Sequence, residues 1–178
     1  YKLHNNSLEN AGYRLYLEKF LDSICSFPAI HGAGFNDRWK IFDYGSGPEP
    51  SFIRLLRERG FDARGRDPFF APETPCFEGG ADLVTCLEVA EHFAAPVSDF
   101  VLMAECVRSG GFLAVGTHLL SSLSVAGSVQ VQGSGESSAD KVSAEFASWW
   151  YRQDPTHISF YSEKALRIAA GKAGLEWL

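Results

Sequence analysis

Short apolar runs alternate with amphipathic stretches along most of this chain. From Leu8 to Ile24, Tyr13, Leu17, Phe20, Leu21 and Ile24 recur at helical spacing and predict a helix. Phe27–Arg38 carries Pro28, Gly32 and Gly34 and reads as a loop. A strand is expected at about Lys40–Tyr44. A helix follows from about Pro50 to Arg59, with Phe52, Ile53, Leu55 and Leu56 on its apolar side and Gly60 as its stop. Asp62–Arg66 reads as the second strand. Phe69–Gly80 is rich in Pro and Gly and leaves little room for a full helix and another strand, so the sheet is expected to be reduced here.

Asp82–Leu87 is apolar enough for a buried strand. Pro96–Val107 reads as a helix closed by Ser109-Gly110-Gly111, and Phe112–Thr117 as the next buried strand. Ser162 is placed as an N-cap, with a helix over Ala165–Ala173 that ends at Gly174. Leu175–Leu178 reads as the start of a further strand, so the last strand or two are expected beyond Leu178. Strands alternating with helices imply an α/β fold: a doubly wound, mainly parallel sheet covered on both faces. Right-handed crossovers put the loops after the strands along one edge, where open α/β sheets bind ligands.

Composition narrows the picture. A chain of 178 residues with 46% hydrophobic content supports one domain with a substantial core. Residues 121–148 differ: Ser, Gly and Val dominate, and a mobile lid or insert is expected there. No apolar run approaches the length that crosses a bilayer, so no membrane partner is expected. The net charge of −6 argues against a broad nucleic-acid-binding face. Arg54, Arg57, Arg59, Arg64 and Arg66 form the one basic cluster and read as an exposed helix face and its turn. Cys25, Cys76, Cys86 and Cys106 show no metal-ligand spacing. Cys86 and Cys106 are expected as buried small hydrophobes, in a protein of the reducing cytoplasm.

The candidate chemistry starts at Ile41-Phe42-Asp43-Tyr44-Gly45-Ser46-Gly47-Pro48. A strand that ends in an acid, breaks into glycines and leads into a helix presents backbone N–H groups to a polar or anionic ligand. Asp67 closes the second strand. Asp82-Leu83-Val84-Thr85-Cys86-Leu87-Glu88-Val89-Ala90-Glu91-His92-Phe93 and then Ser109-Gly110-Gly111-Phe112-Leu113 follow in order. Together these runs resemble the class I S-adenosylmethionine-dependent methyltransferases, in particular the small, ubiquinone-biosynthesis-like group.

The resemblance covers roughly Leu8 to Leu178 and implies a strand order of 3-2-1-4-5-7-6. It also implies roles. Gly45, Ser46 and Gly47 would wrap the methionine part of S-adenosylmethionine, with Asp43 supporting that loop. Asp67 would accept hydrogen bonds from both ribose hydroxyls, a task for a group with two acceptor oxygens. Pro68 and Phe69 would flank the adenine. Leu87 and Glu88 would line the methionine and sulfonium side. Glu49 stands where the family usually has a third glycine. The acceptor is expected to be a small molecule, and a homodimer is compatible with a lid and surface aromatics.

His92 and His157 are the candidates for removing a proton from the acceptor. His118 reads as a hydrogen-bonded loop residue. Glu88-x-x-Glu91-His92 with His157 also resembles the two-carboxylate, two-histidine metal site of the small-RNA 2′-O-methyltransferases. Glu-x-x-Glu-His runs also occur in metal-free relatives, and the acidic charge balance disfavours RNA, so no metal is expected. Trp149, Trp150, Tyr151, Phe160 and Tyr161 read either as core packing or as an acceptor-binding wall. Two rival functions stand beside methyl transfer. A nicotinamide-binding oxidoreductase would use Asp67 in the same way, but Pro50 occupies its third glycine position. A non-catalytic methyltransferase-like scaffold would accommodate Glu49 and the compressed Phe69–Gly80 segment.

Overall fold

A computed structural model describes residues 6–120 and 146–178. The lid expected at about 121–148 lies almost wholly outside the described residues. The described residues cluster into two compact units.

The first unit holds residues 6–89 and 102–116 and contains the sheet. Its strands are β1 (Lys40–Tyr44), β2 (Asp62–Arg66), β3 (Ala81–Leu87) and β4 (Val107–Gly116). All pairings are parallel, in the order β2-β1-β3-β4. This is the 2-1-4-5 part of the expected order. The stretch between β2 and β3 supplies no further strand, only an isolated antiparallel bridge between Asp67 and Ala71. Prolines at 72 and 75 withhold backbone donors there, which is why the segment stays irregular.

Helix α1 (Ala11–Ser26) begins two or three residues later than its periodicity suggests. Asn10 sets the start, because its side chain accepts from the Gly12 and Tyr13 amides. Leu17, Leu21 and Ile24 form its buried stripe. The expected loop after it contains a one-turn helix, α2 (Pro28–Gly32), with proline at its first position and Ile30 buried. Helix α3 (Ser51–Glu58) buries Phe52, Ile53, Leu55 and Leu56 on Ile41, Ala63 and Leu83 of the sheet. Full burial of one such leucine stabilises the fold by roughly 1.5–3 kcal/mol.

The Arg-rich face is exposed, as expected, and it is partnered. Arg54 reaches Glu9 and Glu49, while Arg59 meets Glu18. Arg64 stacks over Phe77 and Arg66 over Tyr44.

Two expectations about β4 and the cysteines need correction. The helix expected to reach Val107 is α4 (Pro96–Glu105), and β4 starts at Val107 rather than Phe112. The Ser109-Gly110-Gly111 run is an irregularity inside the strand, with a register shift opposite Ala81–Leu83 and a positive φ of 70° at Gly110. Cys106 is buried but is not a free thiol: it forms a disulfide with Cys76, Cα–Cα 5.6 Å. Cys86 is buried, as expected.

The second unit holds residues 90–101, 117–120 and 146–177. A 3-10 turn (Ala90–His92) opens it, a second one (Trp150–Gln153) carries the aromatic run, and helix α5 (Glu163–Lys172) closes it. Ser162 caps α5 by accepting from the Ala165 amide, as its position predicts. Trp149, Tyr151 and Tyr161 are buried, so these aromatics build the unit's core, whereas Trp150 is exposed. Leu175–Leu178 carries no strand. Among the described residues, no helix is long and apolar enough to cross a membrane.

Candidate functional site

In the first unit the sequence-predicted residues gather at the C-terminal ends of β1, β2 and β3. Register pairs Tyr44 with Arg66, so the loop after β1 and the turn after β2 emerge side by side. Gly45 and Ser46 both donate to the Arg66 carbonyl, at 2.7 and 3.3 Å. Gly45 and Gly47 have φ of 83° and 69°, which favours glycine at both positions. At Gly45 a Cβ would also stand 2.5 Å from Val89 methyl carbons. Gly47 differs: nothing lies within 4 Å of the place where its Cβ would stand. The loop therefore borders open space that a ligand can enter.

Asp67 is only 6% exposed. Its Oδ2 accepts from the Gly47 amide at 3.0 Å, and its Oδ1 accepts from the Phe69 and Phe70 amides at 2.9 and 3.2 Å. One carboxylate thus fixes the glycine loop and its own turn. With about four lone-pair directions on two oxygens, it retains acceptor capacity for a ligand. Pro68 leads to Phe69, whose ring is 78% exposed beside Phe70. The carboxylate of Glu49 is directed to Arg54, 3.5 Å away, along the start of α3.

Asp43 lies one strand deeper and is buried. The Thr85 hydroxyl of β3 donates to it at 2.7 Å. Burial pushes its pKa up to about 7, and the Thr85 bond offsets part of that rise. Leu87 ends β3 and packs on the core, its side chain close against Gly116. Glu88 has a positive φ of 52°, the sole non-glycine case among the described residues. Its amide donates to the Gly116 carbonyl at 2.8 Å, and its carboxylate accepts from the Tyr16 hydroxyl at 3.0 Å.

Tyr13 and Tyr16 stand on α1 with rings 6.2 Å apart. Burial, and then the charges of Asp43 and Glu88, raise the Tyr13 pKa. Sequence reasoning missed both tyrosines as site residues. Tyr13 is indistinguishable from a core position by spacing, and Tyr16 falls off the apolar stripe.

The second unit assembles the histidines. The Glu91 carbonyl accepts from the Ile158 and Ser159 amides, each at 2.9 Å, and this brings the His92 turn to the His157 segment. His92 Nδ1 lies 2.9 Å from the Thr156 carbonyl, and His157 Nδ1 lies 2.6 Å from the Tyr151 carbonyl. A carbonyl only accepts, so both Nδ1 atoms carry a proton, and in the neutral ring Nε2 is then the atom with the lone pair. The rings are 5.0 Å apart.

Glu91 is 1% exposed. Its Oε2 accepts from the Thr117 hydroxyl at 3.1 Å, and its Oε1 has no hydrogen-bond partner. His118 meets Trp150 and Tyr151 edge-on, with ring centroids 5.2 and 4.6 Å away.

A parallel sheet with a glycine loop after its first strand and a carboxylate after the next is an arrangement shared by α/β proteins that bind nucleotide-type cofactors. Comparison with known families makes that class specific. The family described as "Methyltransferase domain" matches residues 13–178, and the chain belongs to it. No curated protein matches the chain in sequence.

Among solved structures, the chain is similar to a SAM-dependent methyltransferase from Thermotoga maritima, described as a possible histamine N-methyltransferase. The TM-score is 0.51 at 16% identity, over 92% of this chain and 72% of that one. It is likewise similar to a chain in a complex described as being between "the Haloferax volcanii Trm112 methyltransferase activator and the putative methyltransferase". There the TM-score is 0.51 at 14% identity, over 89% of this chain and 72% of that one. These likenesses agree with a Rossmann-like class I methyltransferase fold.

Proposed function

We propose that this chain transfers a methyl group from S-adenosylmethionine to a small-molecule acceptor. The observation that carries the reading is the joint between the glycine loop and Asp67. Gly47 borders open space, and the same carboxylate that fixes it lies at the end of β2. Asp67 would accept from the ribose hydroxyls, and Gly45, Ser46 and Gly47 would receive the methionine end. Pro68 and the exposed Phe69 would flank the adenine. Leu87 and Glu88 would line the sulfonium side, where a negative carboxylate is favourable. Asp43 would hold β1 and β3 together beneath the loop through Thr85. When bound, S-adenosylmethionine supplies a methyl group activated by its positive sulfur.

The chain's own contribution is alignment of the acceptor, which accounts for most of the acceleration in a displacement of this kind. His157 or His92 would accept the acceptor's proton at its bare Nε2, a secondary effect. Undiminished turnover in a His157→Ala enzyme would remove that residue from the mechanism. We read the protein as a single methyltransferase domain, able to pair as a homodimer.

Calorimetric titration tests the cofactor site directly, with S-adenosylmethionine, its demethylated product, and NAD as control. Micromolar binding of the first two, weakened tenfold or more by Asp67→Ala, is expected. NAD binding without S-adenosylmethionine binding would install the oxidoreductase reading, and no binding by a folded sample the scaffold reading.

A further inference from the structure

Against the expectation of a metal-free site, we propose that Glu91, His92 and His157 form a binding site for one divalent transition-metal ion. Three ligand atoms, one from each residue, all lie within 4.8 Å of one another. Bonds of about 2.0–2.2 Å to one ion place neighbouring ligands roughly 3–3.5 Å apart, so the widest edge closes by about an ångström on binding.

Several independent features select a cation. Both imidazoles spend Nδ1–H on backbone carbonyls, which fixes the tautomer and leaves Nε2 as donor atom. This is the outer-shell arrangement that orients metal-binding histidines. Glu91 Oε1 is buried without a hydrogen-bond partner. Leaving such an oxygen unmatched is unfavourable, and a bound cation removes that cost. Its other oxygen is steadied by Thr117, which is itself 3.1 Å from the Tyr151 hydroxyl. Asp154 adds negative charge, its Oδ2 lying 3.9 Å from His157 Nε2.

Two imidazoles and one carboxylate suit zinc, manganese, cobalt, nickel or ferrous iron. Magnesium and calcium favour all-oxygen sets. Three protein ligands leave coordination positions open for water or an oxygen-bearing ligand. When the ion is bound, the two imidazoles are ligands rather than proton acceptors. The proposal does not depend on the cofactor reading, because the ion is held by protein atoms alone.

The test uses the metal-stripped chain without S-adenosylmethionine. Zinc and cobalt are titrated by calorimetry, with magnesium as control, and cobalt is also followed by its visible absorption. Glu91→Gln, His92→Ala and His157→Ala are measured beside the parent, each checked for cooperative thermal unfolding. The half-exposed His92 gives a variant that folds even if the substitution at buried Glu91 does not. We expect one equivalent of zinc, with affinity at least a hundredfold above magnesium and lowered at least tenfold in each folded variant. No binding of zinc or cobalt at millimolar concentration by the folded parent would overturn the proposal. So would affinities within twofold of the parent in the folded variants.

Discussion

Asp43 shows how a single side chain ties stability to pH. Its folded pKa, raised to about 7 by burial, lies above the ordinary value of 3.8. Below the ordinary value both folded and unfolded chains are protonated here, and the fold carries no penalty. As the pH rises, the unfolded chain ionises first, so the stability contributed by the protonated folded form is lost between about pH 4 and pH 7. The loss is on the order of a few kcal/mol. Chemical denaturation across that window should show Asp43→Asn losing less stability than the parent as pH rises. Equal slopes in the two proteins would mean that Asp43 ionises normally.

Gly45 makes a second residue-scale case. Gly45→Ala meets both a positive φ and the Val89 methyl groups. It should destabilise the fold by about 1–3 kcal/mol in urea titration and weaken cofactor binding as well.

At the level of elements, β1 and β2 match the expected ranges because each is a short run bounded by clear punctuation. Gly60 ends the preceding helix, and the glycine loop or Asp67-Pro68 ends the strand. Helix α2 escaped because one turn is too short to show a period. The start of β4 escaped because Gly110-Gly111, a stop signal in isolation, is here absorbed as an irregularity between the paired residues Val107 and Phe112. Gly80 supports that pairing: a Cβ on it would lie 2.5 Å from the Arg108 amide nitrogen, at a φ of 86°. Gly80→Ala should cost about 2 kcal/mol or more, read as a lowered urea midpoint at constant m. The Cys76–Cys106 bond spans 30 residues and had no spacing signature to reveal it. On chain-entropy grounds its reduction should lower stability by about 3–4 kcal/mol, measurable by paired melts with and without reductant.

At the scale of the whole molecule, family membership and sheet type were legible because they depend on an ordered set of strand-end residues. The glycine loop, Asp67 and Glu88 appear in the chain in the order in which the parallel sheet presents their turns. Contacts between distant segments were not legible. Tyr16 meets Glu88 across 72 positions, and His92 meets the Thr156 carbonyl across 64. No local pattern encodes such pairs. Ligand linkage gives the whole-molecule prediction: S-adenosylmethionine at a hundred times its Kd should stabilise the chain by about 2.7 kcal/mol, seen as a raised melting temperature, while NAD should leave it unmoved.

The disulfide begins nine residues beyond Asp67, in the same irregular segment that carries Phe69, and anchors that segment at the base of β4. With the bond intact, the stretch proposed to receive ribose and adenine runs into a segment tethered at Cys76, which leaves it few shapes. Once the bond is broken, the same stretch samples many shapes, and a ligand must select among them. Two samples of identical sequence, one purified with a thiol in the buffer and one without, should therefore yield different dissociation constants for the same nucleoside.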